Sequence, residues 1–447
     1  MAPKPSVFEV FETESKGRGL RAAKPLKSGD TILSEQPVVY MLSNMLRGQR
    51  CDFCLEKLSD LQRCSRCKFA RYCGASCQRA AWRIHKSECE RLKRVFPRVP
   101  TDLVLLMFRV WQLKSQNGWY DSLVSNVEKI DSDTKEDFVS VLMVLNEYLG
   151  SEISPTEGLE LFSKISCNSF AICDGEMQAI GTGIFPNAVC LNHSCAPNSV
   201  AVFNGTNIYI KALEEIPVGE ELTISYIQQL HPRETRQEEL ETQFCFYCQC
   251  HRCLDASDNN KMLTSLICPN ISCEAIVYQN WRCTKCDTFV DANYFTSCQN
   301  QLQDAVLKVR DLENQANPNN TEIVHTCNSA LSGGHGSLYH HLSIELCYKA
   351  FDACVMEQDW TKALEYATRN LEVYTWFYPK YHPCLGVHLY KIGKLLAVTH
   401  QDLELAVKRL EQARKILEVT HGQSHPLVQE LCEYLCQASE ELRQGRI

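Results

Sequence analysis

Cysteine and histidine fall in this sequence at intervals that suit metal capture. Cys51, Cys54, Cys64, Cys67, Cys73, Cys77, His85 and Cys89 read C-x2-C-x9-C-x2-C-x5-C-x3-C-x7-H-x3-C. Thiolate and imidazole are ligands that zinc favours, and eight of them are what two tetrahedral sites need. A segment so short and so poor in apolar residues would draw much of its folding energy from bound metal. Further on, Cys248, Cys250 and Cys253 form C-x-C-x2-C, which leaves a tetrahedral ion one ligand short. Cys268, Cys273, Cys283 and Cys286 form C-x4-C-x9-C-x2-C, and two pairs bracketing about ten residues predict a zinc-ribbon-like knuckle. Between these fields lies "LNHSCAPN", Leu191 to Asn198, where a metal ligand, a catalytic group and a polar turn are all conceivable.

The compartment supports ligands over disulfides. The start of the chain, "MAPKPSVFEVFETESKGRG", has no apolar core of a secretory signal. No uninterrupted apolar run approaches the ~18 residues of a spanning helix. An intracellular protein is therefore expected, and there thiols stay reduced, so the 26 cysteines are metal ligands or buried thiols. A net charge of -8 argues against general affinity for nucleic-acid backbone, which needs clustered cations. At 447 residues the chain should divide into about three units.

The elements that must position these groups alternate in type. Residues 1–50 read as short strands broken by turns: "SVFEVFET" alternates, "SKGRGLRA" is Gly-rich, and "KPLKSGDTILSEQPVVYML" is a turn and two β-rich runs. "TDLVLLMFRVWQLKSQN", up to Asn117, is helical, with Thr101-Asp102 as its cap. A second helix is expected from Ser132 to Leu149, stopped by Gly150. Residues 165–230 return to β-rich runs, "NSFAIC", "AVFNGTNIYIKAL" and "EELTISYI". After the cysteine field of 245–298 the chain turns helical, and His382-Pro383 recurs 43 residues on as His425-Pro426, each after a helix-like run. That period suggests a tetratricopeptide-like array with units longer than the usual ~34 residues. "NQANPNNTE" (314–322) reads as a loop.

The spacing of the first field, with "QRAAW" before its histidine, resembles a MYND zinc finger. On that resemblance Cys51, Cys54, Cys73 and Cys77 hold one ion, and Cys64, Cys67, His85 and Cys89 the other. Around "NHSC" stand "SKGRGLRA" (Ser15 to Ala22), "CNSFAI" (167–172) and "GEELTISY" (219–226). In this order they resemble the SET domain of protein lysine methyltransferases. With the finger inserted after the first strands, the whole chain resembles the SET and MYND domain family, most of all its short members numbered two and three.

The resemblance implies an α+β multidomain protein. A β-rich SET core (1–50 and 165–230) is split by a MYND finger (51–89) and a helical insert (90–164). A cysteine-rich post-SET segment (231–299) and an all-α tetratricopeptide-like domain (300–447) follow. It implies methylation of lysine on histone or non-histone proteins, with S-adenosylmethionine as donor and roles in transcription regulation. In such chemistry a neutral amine must sit ~3–3.5 Å from the methyl carbon, in line with the leaving sulfur, and burial lowers the lysine pKa toward neutrality. Family membership would place Asn192, His193 (mainly through its backbone), Asn168, Lys16, Gly17, Arg18, Asn126 and Phe246 on the cofactor. Tyr226 would stand at the transfer centre and Phe170 along the lysine channel. Arg18 stands where the family pattern has Asn. Post-SET resemblance makes Cys195 the fourth ligand to Cys248, Cys250 and Cys253, so the expected total is four zinc ions: two in the finger, one post-SET and one at Cys268/Cys273/Cys283/Cys286.

Expected partners are lysine-bearing proteins, proline-rich peptides at the finger and an Hsp90-type chaperone at the helical domain. A monomer in cytoplasm and nucleus, away from membranes, is expected. The rival is an adaptor with a dead SET domain in transcriptional or chaperone complexes, against which Asn168, Asn192, His193 and Tyr226 are all present. A zinc hydrolase fails because each ligand set is complete and leaves no open position. Cys347, Cys354, Cys384, Cys432 and Cys436 read as core thiols, Cys245 as packing, His340-His341 as a pair without ligand partners, and the sequons at Asn204, Asn270 and Asn319 as chance.

Overall fold

Alternating strands need partners, and in the computed structural model they find them in three small sheets. It describes residues 6–13, 16–255, 258–270, 272–278, 282–315, 317–333 and 336–445. Ser15 of the Gly-rich stretch, and Ile271, Gln279, Asn280 and Trp281 within the last cysteine field, lie outside them, as do the first five residues. The chain forms two units, Met1–Tyr226 with Glu239–Cys248, and Ile227–Glu238 with Gln249–Ile447.

In the first unit β1 (Phe8–Thr13) and β2 (Gly17–Ala22) form an antiparallel hairpin. The Gly-rich stretch is thus mostly strand, with the turn confined to its start, where Gly17 has φ +69°. β3 (Thr31–Glu35) and β4 (Val39–Leu42) follow, and the finger contributes only the two-residue strands β5 (Gln62–Arg63) and β6 (Arg71–Tyr72). Its last ligands ride on α1 (Ala75–Val95), which continues past Cys89 into the insert.

Helix α2 (Asp102–Leu113) starts where Thr101 Oγ1 accepts from the Val104 amide, and stops four residues before Asn117. α3 (Ser132–Leu149) has the expected bounds. Asp131 caps its N-terminus, and Gly150 takes the left-handed conformation at its end, φ +71°. α4 (Pro155–Asn168) lies where sequence reading placed no helix before the strands. Ser154 caps it with Pro155 in its first turn, a signature legible in "SPTE".

The β-run then divides into β7 (Ser169–Cys173), β8 (Ala179–Ile184), β9 (Asn192–His193), β10 (Ser199–Asn204), β11 (Asn207–Ala212) and β12 (Glu221–Ile224). The larger sheets are β1-β2-β12-β9, β10-β11-β3 and β4-β8-β7, and β5 pairs with β6 alone. One apolar core runs between them through Leu20, Ile172, Phe185, Leu191, Ile210 and Leu222. A second, through Met107, Phe108, Leu145 and Leu161, joins the finger to the insert.

The second unit is helical beyond the knuckle, from Ala292 to Gln444. The loop expected at 314–322 ends at Asn319, whose side chain caps the helix Asn320–Ser332 by accepting from the Glu322 amide. The His-Pro pairs turn out to be helix caps. His382 Nδ1 accepts from the Cys384 amide at 3.3 Å and His425 Nδ1 from the Leu427 amide at 3.2 Å. His340 does the same for Leu342 at 3.2 Å, so a third copy, lacking the proline, stands one repeat earlier. Cys347 and Cys354 are buried as expected, but Cys436 is exposed beside Glu440, on the outer face of the last helix (Pro426–Gln444). Among the described residues no helix is long and apolar enough to cross a membrane.

Burial lowers the imidazole pKa of His340 and His388 to about 4 and of His382 to about 3. All three are neutral in the fold, and His388 Nε2 donates to the Ala367 carbonyl at 2.7 Å. Above pH ~6.5 neither folded nor unfolded chain protonates them. Below it the unfolded chain takes up protons first, and stability falls until the folded values are reached, by about 2 kcal/mol per histidine near pH ~5. Circular dichroism melts between pH ~7.5 and ~5 should show that drop. His382→Asn, which keeps a capping oxygen, should make it shallower.

Candidate functional site

Strand β12, itself part of one motif, carries the site because two other motif segments are hydrogen-bonded onto it. On one edge it pairs antiparallel with β2, Leu222 opposite Leu20, and on the other it runs parallel to β9, Thr223 opposite Asn192 and Ile224 opposite His193. Asn198, the second Asn of "LNHSCAPN", fastens the same strand: its amide donates to the Glu221 carbonyl and accepts from the Thr223 amide, at 2.8 and 3.0 Å. "SKGRG", "NHSC" and "EELTISY" are thereby brought together.

Glu221 is the polar centre of that convergence. Its carboxylate accepts from Lys16 Nζ at 2.6 Å and from Asn192 Nδ2 at 2.8 Å. Asn192 is thus oriented with Oδ1 left to accept. A Cβ on Gly19 would lie 2.8 Å from Asn192 Nδ2 and 2.8 Å from the Phe11 ring, so only glycine lets β2 come so close. At Gly17 nothing lies within 4 Å of a built Cβ, which leaves open space beside Lys16. Arg18 turns away from this group, its guanidinium donating to the Ser122 carbonyl.

Tyr226 stands beyond the end of β12. Its backbone N–H donates to His193 Nδ1 at 3.0 Å and its hydroxyl donates to the Leu191 carbonyl. With the O–H directed there, the oxygen lone pairs remain as acceptors. Burial pushes the phenol pKa well up, so it stays protonated. Its ring packs 4.9 Å from Phe244 and 6.4 Å from Phe246, centroid to centroid. Phe170, on β7, sits edge-on to Phe185 at 5.7 Å and packs on the same core as Tyr226.

Two other expected cofactor contacts are engaged as clamps. Asn168, almost fully buried, donates to the Val124 and Lys164 carbonyls at 2.8 and 2.7 Å and accepts from the Val124 amide. Asn126 Nδ2 donates to the Phe244 carbonyl and to Cys167 Sγ, each at 3.2 Å. Both side chains hold the segment before α3 in place. A cavity of about 500 Å³ lies elsewhere, lined by Tyr40, Phe53, Glu88 and Asn204 among others; it touches the finger ligands Cys54 and His85 but none of the residues expected on the cofactor or the lysine channel.

Four ligand sets gather. Cys51, Cys54, Cys73 and Cys77; Cys64, Cys67, His85 and Cys89; Cys195, Cys248, Cys250 and Cys253; and Cys268, Cys273, Cys283 and Cys286 each bring four donor atoms within 4.8 Å of one another. Zinc–sulfur bonds of ~2.3 Å in a tetrahedron put sulfurs ~3.8 Å apart. The structure has 3.3 Å for Cys54–Cys73, 3.8 Å for Cys64–Cys89, 4.0 Å for Cys195–Cys248 and 3.6 Å for Cys273–Cys283. The donor sets therefore fit the ion.

Sequence reading missed the support behind His85. Its Nε2 lies 3.6 Å from Cys67 Sγ, and its Nδ1 faces Glu88 at 3.6 Å, one turn on in α1. Glu88 is buried, which alone would raise its pKa. The Arg109 guanidinium, at 2.5 and 3.0 Å, outweighs that and holds it at about 2. A carboxylate behind a metal-ligating imidazole fixes its tautomer. The spacing H-x2-E was visible, but Arg109 was not. Glu221 likewise stood in a quoted motif without a role.

A SET domain family model matches residues 17–227. Over nearly its whole length the chain is similar to named lysine methyltransferases. It is 35% identical to histone-lysine N-methyltransferase SMYD3 of Homo sapiens, covering 98% of this chain and 99% of that one. It is 30% identical to histone-lysine N-methyltransferase ASHR1 of Arabidopsis thaliana over 97% and 95% of the two chains. For N-lysine methyltransferase SMYD2 of Homo sapiens the figures are 28%, 95% and 96%.

Proposed function

The chain belongs to the SET and MYND domain-containing family of protein-lysine N-methyltransferases, and from that premise we propose that it methylates lysine side chains of histone or non-histone proteins where β2, β9 and β12 meet beside Tyr226. The observation that carries this is the convergence of Lys16 and Asn192 on Glu221, next to a tyrosine whose hydroxyl hydrogen is already committed to Leu191. S-adenosylmethionine supplies an electrophilic methyl group on a sulfonium centre.

The chain's own residues do the rest. Lys16 offers a cation to a carboxylate and Asn192 Oδ1 an acceptor to an ammonium. Gly17 and Gly19 let the backbone approach, and Phe246 offers an aromatic face. Backbone groups of His193, Asn168 and Asn126 and the Arg18 loop complete the cofactor wall. The Tyr226 oxygen, an acceptor only, orients a neutral amine and attracts the polarised methyl hydrogens. Phe170 excludes water from the channel. A tritiated-methyl assay on core histones and cell-extract proteins, with mass spectrometry of the labelled sites, tests this. Label on lysine Nζ is expected, and no labelled lysine on any protein would refute it.

In the same reading zinc neutralises the clustered thiolates and staples the finger, the "NHSC" turn and the knuckle. Four ions per chain are expected by metal analysis of pure protein, and Cys283→Ser should retain three. A wild-type count of three or fewer, unchanged by that substitution, would remove the knuckle ion. Membership of the family also supports the domain division set out above, proline-rich peptides as partners of the finger, an Hsp90-type chaperone as partner of the helical domain, and a monomer working in cytoplasm and nucleus.

A further inference from the structure

The His193 side chain makes two contacts of its own. The residue is buried, 7% exposed, and its ring lies between two groups of different kind. The Tyr226 backbone N–H can only donate, so Nδ1, 3.0 Å away, must accept. The imidazole is then neutral with its proton on Nε2, and Nε2 lies 3.2 Å from Cys195 Sγ. That sulfur must therefore accept. A zinc-bound thiolate is an acceptor only, and Cys195 belongs to a set of four sulfurs spaced for zinc.

We propose that His193 is a positioning residue that couples zinc binding at Cys195 to the placement of Tyr226. The chain of bonds runs from the Tyr226 amide to Nδ1, and from Nε2–H to the thiolate. Loading the ion makes Cys195 a fixed, charged acceptor. That locks the imidazole tautomer and plane, and with them the backbone that carries the Tyr226 ring, 5.3 Å from the imidazole. Losing the ion leaves a thiol that can rotate its hydrogen toward Nε2, and the bridge opens. The proposal rests on the reading of Tyr226 at the transfer centre, but the bridge itself is independent of turnover.

The test uses the full-length, zinc-loaded chain with His193→Ala and His193→Asn. In the Asn variant Oδ1 can replace Nδ1 as acceptor, while its amide nitrogen falls short of the sulfur. Outer-shell partners change metal affinity or activity about ten- to hundredfold. One zinc per chain should therefore leave to a chelator about ten- to hundredfold faster in both variants. The turnover number should fall by a similar factor in His193→Ala and recover to within about threefold in His193→Asn, with KM for S-adenosylmethionine nearly constant throughout. Hydrogen exchange at the Tyr226 amide should accelerate in His193→Ala and in wild-type protein stripped of that ion. Unchanged zinc release in both variants, or an amide indifferent to zinc removal, overturns the proposal. If the wild type showed no turnover, the methyltransferase reading would fail, while zinc release and amide exchange would still decide the bridge.

Discussion

Tyr226→Phe is expected to lower the turnover number for lysine methylation by on the order of a hundred- to a thousandfold, the usual effect of deleting one preorganised polar group at a reacting centre. Affinity for S-adenosylmethionine should stay within about threefold. The reason lies in what the substitution leaves. The ring stays packed against Phe244 and Phe246, and the backbone bond to His193 is untouched. Only the oxygen disappears, an acceptor whose own hydrogen is directed at Leu191. Lys16, Asn192 and Glu221, on the cofactor side, do not touch that oxygen, so binding and turnover separate. Labelled-methyl kinetics beside calorimetry would check this, and a variant within threefold of wild-type turnover would remove Tyr226 from the chemistry.

Arg109→Leu should be the most damaging single change to stability. Glu88 is 2% exposed and its carboxylate is held ionised by the Arg109 guanidinium. Removing one partner of a buried pair strands the other's charge, at about 3–5 kcal/mol. Because Glu88 also faces His85, the finger should lose grip on an ion as well. Thermal unfolding followed with metal analysis would show a lowered melting point and depleted zinc. Adding Glu88→Leu to Arg109→Leu should restore much of the stability, since no bare charge remains, but not the zinc affinity, since His85 still lacks its orienting carboxylate. A single variant that melts with wild type would show the pair to be dispensable.

What sequence could reveal follows from how local the information is. The bounds of α3 were legible because Asp131 and Gly150 act within one turn of the helix they delimit. The finger and knuckle ligands were legible because zinc demands fixed residue types at short spacings, whereas the pairing within the finger and Cys195 as a fourth ligand came only from the family resemblance. Asn168 does stand just before a strand, and the helix it ends, absent from the sequence expectation, is announced by "SPTE". The His340 cap is hidden because it lacks the proline that marks the other two copies, whereas the imidazole does the capping. Glu88–Arg109, Tyr226–Leu191 and His193–Cys195–Tyr226 were beyond sequence reading for a different reason. Each depends on which strand edge or helix face meets which, and tertiary packing alone decides that. Cys436 shows the converse error: helical spacing suggested a core thiol, but the last helix turns that position outward.

The most direct measurement is a calorimetric titration of S-adenosylmethionine into the full-length chain with its zinc content verified. Saturable heat at one site per chain, weakened by Gly19→Ala because the added methyl would strike Asn192 and Phe11, is the expected result. A fully metallated, folded chain that takes up no S-adenosylmethionine would contradict the assignment of the pocket at β2, β9 and β12.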